Sequence, residues 1–282
     1  MDRRREEKIV KALMIGSLAI VLGSLFAVVA LVLGKGLPAL SWSMITQLPQ
    51  GGYFMGKGGG ILNAIVGSLY LGLFSTMIAF AISLPAALAL QKDSMKNTRL
   101  AYSIGLALDV LWGTPSIVYG AFAFTVMVYL GLRTSLLGGV VVLTLLELPI
   151  MVRAMQEVVR LVPEELKDAS YALGATRFET TVRIVVKQAM PGILTGALLA
   201  FGRGIGDAAS ILFTSGYTDR LPNSPMAPVA SLPLSIFFQL NTPYPEVQQR
   251  AYASALVLLI IVLGLSLVTR ALSRKFMKNI VK

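Results

Sequence analysis

Four ionisable residues stand inside stretches that are otherwise apolar: Asp109, Glu147, Arg203 and Asp207. A charge in hydrocarbon is costly, so such residues are functional candidates by default. Arg203 is the most informative of them. Its guanidinium is a planar fork of donors that matches the oxygens of a phosphate or a similar oxyanion. It follows Pro191 by 12 residues, which is roughly 18 Å along a helix at 1.5 Å per residue and near mid-depth in a ~30 Å core. Asp207, four residues on, shares that helical face and would orient the guanidinium. Gly202, Gly204 and Gly206 would let another helix or a ligand come close to the backbone. The competing reading is a buried pair that only fixes helix packing. Thr114-Pro115-Ser116 interrupts an earlier apolar stretch; Pro115 frees a carbonyl and two hydroxyls flank it. Such breaks line polar sites at depth, or they simply kink a helix. Arg203, Asp207, Thr114 and Ser116 are therefore the candidates for contact with an anion.

Other chemistry is excluded by what is missing. With no cysteine and no histidine among 282 residues, there are no disulfides, no thiolate or imidazole metal sites and no Ser-His-Asp triad. Gly51-x-x-x-x-Gly56-Lys57 imitates a phosphate-binding loop, but Gly58 stands where Ser or Thr is required. No strand precedes it and no helix directly follows, so the segment reads as a flexible loop rather than a nucleotide site.

The surrounding sequence is that of a membrane protein. Apolar residues make up 55% and charged residues 14%, against about 25% charged in soluble domains. The mean hydropathy is +0.74. Six stretches are long enough to cross a bilayer: Ala12–Leu33, Leu62–Leu90, Tyr102–Leu130, Leu136–Val152, Met190–Phe213 and Ala251–Arg270. The first is too long for the apolar core of a signal peptide and reads as a retained span. The connections on one side hold 19 Lys and Arg and those on the other hold five, which puts both termini in the cytoplasm. The same asymmetry accounts for the net charge of +11 without nucleic acid. In this frame Asp109 and Glu147 lie several residues from the cytoplasmic ends of their spans. Each could face a vestibule or pair with a snorkelling Arg153, and a structural role suits them better than a site. Ser231–Leu240, on the outer side, is apolar enough to lie on the membrane or dip into it.

The cytoplasmic segment 153–190 is too long to be structureless and reads as two short helices. Pro163 suits a helix N-terminus, and Glu164 and Glu165 suit the positive end of its dipole. Gly174 suits the position just past the helix end. A second helix from about Phe178 would lead into the fifth span.

This segment also carries a resemblance. Asp168-Ala169-Ser170-x-x-x-Gly174, with Ile184 and Pro191 beyond it, resembles the EAA loop of ABC importer permeases. Asp168 replaces the usual Glu, Ser170 the second Ala, Val186 the Leu, and Lys187 the first Pro. Gly60–Leu69, Thr114–Gly120, Leu161–Ala175 and Arg203–Ala208 further resemble the PstA-type permease subunits of phosphate ABC importers; Asp207 stands where that family has Glu. The likeness covers most of residues 60–270. It implies an all-α membrane fold of six transmembrane helices: a MetI-like core of five within 60–282, preceded by an N-terminal helix and glycine-rich external loop within 1–59.

The resemblance also implies that the hairpin, with Glu164, Asp168, Ala169, Gly174 and Ala175, docks on a cytoplasmic ATPase. The partners implied are a second homologous permease, two ATPase subunits, an external phosphate-binding protein and membrane lipid. The chain itself would need no cofactor, ATP and Mg being held by the ATPase. The place implied is the cytoplasmic membrane of a bacterium or archaeon. A PstC-type partner permease, a permease for molybdate or sulfate, and an ion-coupled secondary transporter remain the alternatives.

Overall fold

The computed structural model describes residues 3–50, 58–91 and 98–277. They form helices α1 (Arg3–Ala39), α2 (Trp42–Thr46), α3 (Leu62–Ala89), α4 (Thr98–Gly113), α5 (Ser116–Tyr129), α6 (Leu136–Arg160), α7 (Glu164–Ala172), α8 (Arg177–Thr180), α9 (Val186–Ile205), α10 (Leu232–Leu240) and α11 (Pro245–Met277). A π-helical turn, Thr181–Val185, joins α8 to α9. Five helical stretches are long and apolar enough to cross a membrane, and the α4–α5 pair makes a sixth if counted as one span.

Helix α3 packs through a stripe of small buried residues that includes Gly67, Ser68, Gly72, Ser75, Ala79, Ser83 and Ala87. In a bilayer, close van der Waals approach of small residues is what joins helices. Gly72 meets the ring of buried Phe201 on α9. Near the start of α3 Gly67 abuts the Ala230 carbonyl, and Ser68 Oγ accepts a hydrogen bond from Leu232 N at the start of α10 (2.8 Å). Helices α6 and α9 pack together around Met151, Met155 and Ile193, all fully buried. Gly192 and Gly196 of α9 sit against Val158 and Ala154 of α6.

The structure revises several expected spans. The fourth does not stop at Val152 but continues as helix to Arg160, so the helical hairpin begins only beyond it. The third is not one rod: α4 and α5 meet at 104° across Thr114–Pro115. Pro115 has no N–H to extend α4, and its φ of −58° and ψ of 138° turn the chain before α5 begins. The fifth does not run to Phe213, because α9 ends at Ile205 with Gly206 as its C-cap. Residues 206–216 are turns, in which Ser210, Thr214 and Ser215 are fully buried. Irregular backbone is tolerated at such a place only where protein satisfies it. Here Ser135 N donates to Thr214 O (2.9 Å) and Val229 N to Ser215 O (2.9 Å). The apolar Ser231–Leu240 stretch forms α10 with Leu232, Leu234, Ser235 and Gln239 buried, so it packs into the protein.

Most of α1 stands clear of the other helices. Its contact with them comes near its end, where Gly36 lies against Tyr252 O and Leu256 of α11 and Lys35 sits 4.8 Å from the centroid of the Tyr252 ring.

Candidate functional site

Arg203 lies in the last turn of α9, where the negative end of the helix dipole favours a cation. Asp207 is not one turn further along the same helix, as the spacing suggested, since α9 has already ended. It sits in the following turn, where its Oδ1 accepts a hydrogen bond from Ser210 N (2.8 Å). Its Oδ2 lies 3.6 Å from Arg203 Nη2. The pair is lopsided, because the Arg203 side chain is 54% exposed and that of Asp207 only 5%. Asp207 is thus fixed by the turn it closes, while Arg203 keeps most of its donors for another acceptor. Of the three glycines, Gly204 alone serves a tight helix contact. A Cβ there would overlap Glu147 Oε1, whereas Gly202 has nothing within 4 Å and Gly206 meets only the carbonyl of Gly202.

Glu147 also departs from expectation. With α6 extending to Arg160, Glu147 lies near the middle of the helix instead of close to its cytoplasmic end, and it does not pair with Arg153. It is fully buried. Its Oε1 accepts from Ser75 Oγ (2.9 Å) and its Oε2 from Thr76 Oγ1 (2.8 Å), both on α3. The sequence reading missed Ser75 and Thr76; two adjacent hydroxyls inside an apolar span were the available signal.

Arg153 instead joins α6 to α4. Its Nε and Nη2 donate to Asp109 Oδ1 (3.1 and 2.5 Å), its Nη2 also to Gly105 O (2.9 Å) and its Nη1 to Gln156 Oε1 (3.2 Å). The pairing of Asp109 with Arg153 is therefore present.

The Thr114–Ser116 bend and the turn after α9 border one buried cluster, in which Leu111 and Tyr119 pack with Ala208 and Ile211. Tyr119 donates to Leu111 O across the bend (2.7 Å), and Gly120 abuts the carbonyls of Ala209 and Ser210. Thr114 uses its hydroxyl on Val110 O (2.8 Å), and Ser116 is the first residue of α5. The structure therefore brings the two breaks together. It pairs Arg203 with Asp207 and leaves Thr114 and Ser116 at the bend, without a hydrogen bond to that pair.

The hairpin that follows α6 matches its local signals. Pro163 is the N-cap of α7, and Glu164 and Glu165 lie in its first turn. Gly174 follows the C-cap with φ +82°, and Gly174 N and Ala175 N close the end onto Tyr171 O and Ser170 O (2.9 and 3.2 Å). The next helix starts at Arg177 behind a capping box: Thr176 Oγ1 accepts from Glu179 N, and Thr176 N donates to Glu179 Oε2. No residue of α7 is buried. A groove of about 540 Å³ runs between α7 and the following helix, lined by Ala169, Leu173, Gly174, Ala175, Arg183 and Ile184 among others. Leu173 is 89% exposed and Phe178 77%. Glu164, Asp168, Ala169, Gly174 and Ala175 thus share one hairpin.

The Gly51–Lys57 look-alike lies outside the described residues. Among the described residues no group of acidic side chains could hold a metal ion.

Residues 79–280 match the family described as binding-protein-dependent transport system inner membrane component. The phosphate transport system permease protein PstA of Yersinia pestis is 33% identical over 273 residues, covering 97% of this chain and 92% of that protein. PstA 1 of Mycobacterium tuberculosis is 37% identical over 211 residues, 74% of this chain and 69% of that one. Among solved structures, the inward-facing MetNI methionine ABC transporter covers 77% of this chain and 95% of its own, with a TM-score of 0.65 at 18% identity. A bacterial alginate ABC transporter, solved with an alginate-pentasaccharide-bound periplasmic protein, covers 97% of this chain and 96% of its own, with a TM-score of 0.64 at 12% identity. At such identities these two structures establish the fold, that of an ABC importer permease.

Proposed function

We propose that this chain, which belongs to the family of binding-protein-dependent transport system inner membrane components, is the permease subunit through which an ATP-driven importer carries inorganic phosphate inward. The observation that carries the reading is the likeness to phosphate permeases over 97% of the chain. The half-exposed Arg203 supports it, since its donor fork suits a phosphate. The chain is a multi-pass inner-membrane transport subunit and makes or breaks no bond itself; ATP is hydrolysed by a separate subunit. In this reading an external phosphate-binding protein and two ATPase subunits bind differently to inward- and outward-open forms, and that difference drives alternating access. The exposed hairpin 161–185, with Asp168, Ala169 and Gly174, is where an ATPase docks.

The test is uptake by proteoliposomes holding this chain with its partner permease, ATPase and binding protein. ATP-dependent uptake of phosphate, undiminished by excess sulfate or molybdate, is expected. Uptake of sulfate or molybdate without phosphate would overturn the assignment.

Both termini are assigned to the cytoplasm from the 19-to-five distribution of Lys and Arg. The chain has no native thiol, so cysteines introduced singly report on sidedness. Thr176→Cys should react with an impermeant maleimide only in inverted vesicles and Asn223→Cys only in right-side-out cells; the reverse pattern would overturn the orientation.

A further inference from the structure

We propose that Glu147 is a positioning residue: by clamping α6 to α3 and closing against Gly204, it sets where the last turn of α9 presents Arg203. The transport part of this inference rests on the phosphate-permease reading above; the geometric part does not.

Three helices meet at this point. From α3 come Gly72, which receives the ring of Phe201, and Ser75 and Thr76, which donate to the two oxygens of Glu147. From α6 comes Glu147 itself, with Thr144 one turn earlier reaching Ser75 O (3.4 Å). From α9 come buried Phe201 and Ile205 and Gly204, whose missing side chain leaves the space that Glu147 Oε1 fills.

A carboxylate is an unusual choice for a packing contact in a membrane, since a buried acid must have its acceptors satisfied. Ser75 and Thr76 are consecutive on α3, and one takes each oxygen. The carboxylate plane is thereby held in one orientation, with an edge toward Gly204. An aliphatic side chain of similar size would fill the space without fixing α6 against α3. The residue next to Gly204 is Arg203, in the final helical turn. A shift of Gly204 therefore moves the base of the guanidinium arm and its distance to Asp207, whose own place is fixed separately by Ser210 N. Glu147 thus acts on the anion-contacting residue through the backbone, with no need to touch the anion.

The test combines two readouts on the full chain. The first is geometric. Gly202 faces open space, so a cysteine there reports on the last turn of α9 through its rate of thiol labelling. Glu147→Ala should change that rate by about fivefold or more, whereas Glu147→Gln, which keeps the length and can still bond both hydroxyls, should leave it within about twofold.

The second readout is phosphate uptake by the reconstituted complex. Glu147→Ala should reduce uptake at least about tenfold, and Glu147→Gln should recover most of it. A third variant covers poor assembly of Glu147→Ala. Gly204→Ala adds a methyl against Oε1 and should be impaired, and the shorter acid in Gly204→Ala/Glu147→Asp should restore much of the loss.

Unchanged labelling and uptake in Glu147→Ala would overturn the proposal. So would an assembled but inactive Glu147→Gln, because the charge and not the clamp would then matter, or purely additive loss in the Gly204→Ala/Glu147→Asp pair. If the unmodified complex imports no phosphate while labelling follows the expected pattern, the transport reading fails and the positioning role stands.

Discussion

Gly174 and Gly216 adopt nearly the same left-handed backbone, with φ of +82° and +80°, and their surroundings are opposite. A Cβ on Gly216 would lie 2.9 Å from both Pro228 Cβ and Thr134 Oγ1, while one on Gly174 would meet nothing within 4 Å. Gly216 closes the buried turn after α9, where Asp207, Ser210 and Thr214 bond within the chain. Gly174 ends an amphipathic helix that buries none of its own residues and shows Leu173 and Phe178 to solvent. One break is completed by this chain; the other presents apolar surface that a second protein can cover. In the proposed reading, the first suits a subunit that binds substrate in its interior and the second one that answers to a separate ATPase.

The sharpest way to break this contrast is at Arg203, a strongly exposed residue beside the enclosed turn. Arg203→Lys keeps the charge and loses the fork; Arg203→Gln loses both. A hydrogen bond to a charged group is worth about 1.5–3 kcal/mol, so phosphate uptake should fall by roughly ten- to a hundredfold in each, with Gln the worse. Assembly should survive, because the pair is long at 3.6 Å, the Arg203 side chain is largely exposed and Asp207 is held separately by Ser210 N. Uptake and copurification of the complex measure the two quantities separately. Restoration of uptake in Arg203→Gln/Asp207→Asn would show that the pair serves packing alone.

The enclosed and open regions also differ in how far they could be read from sequence. The hairpin is written in local chemistry. Pro163, two acidic residues and Gly174 mark a short helix within a dozen positions, and each does in the structure what its type dictates. The capping box of Thr176 and Glu179 was equally legible and moves the start of the next helix only slightly ahead of Phe178. The enclosed region depends on distant partners. Glu147 binds hydroxyls 71 and 72 residues away, which no local pattern reports, so nearby Arg153 looked like its partner. Arg153 was taken instead by Asp109, the other acid within reach. The fifth span was drawn too long because Ile211, Leu212 and Phe213 are as apolar as the helix before them. Ile211 is buried in the turn that follows α9, and the glycines at 202, 204 and 206 were the better guide to where the helix stops.

Placing the same methyl group on the two glycines tests the contrast directly. In Gly216→Ala the left-handed backbone costs about 1–2 kcal/mol, and the new Cβ must also displace Pro228 or Thr134, as overpacked interiors rarely allow for less than about 1–3 kcal/mol more. The variant should assemble poorly, seen as reduced copurification with the partner permease. Gly174→Ala carries only the backbone cost, because its surroundings are open. It should insert and assemble normally, and its defect should appear in the stimulation of ATP hydrolysis by loaded binding protein. A loss of about 1 kcal/mol in the population of the docked hairpin is roughly a fivefold loss of stimulation. Gly174→Asn, which tolerates the left-handed region better than alanine, should fall between Gly174→Ala and the unmodified chain. If Gly174→Ala assembles poorly and Gly216→Ala does not, the assignment of one break to the chain's own interior and the other to a partner is wrong. If both assemble and stimulation is unchanged in Gly174→Ala, the hairpin does not carry the coupling contact.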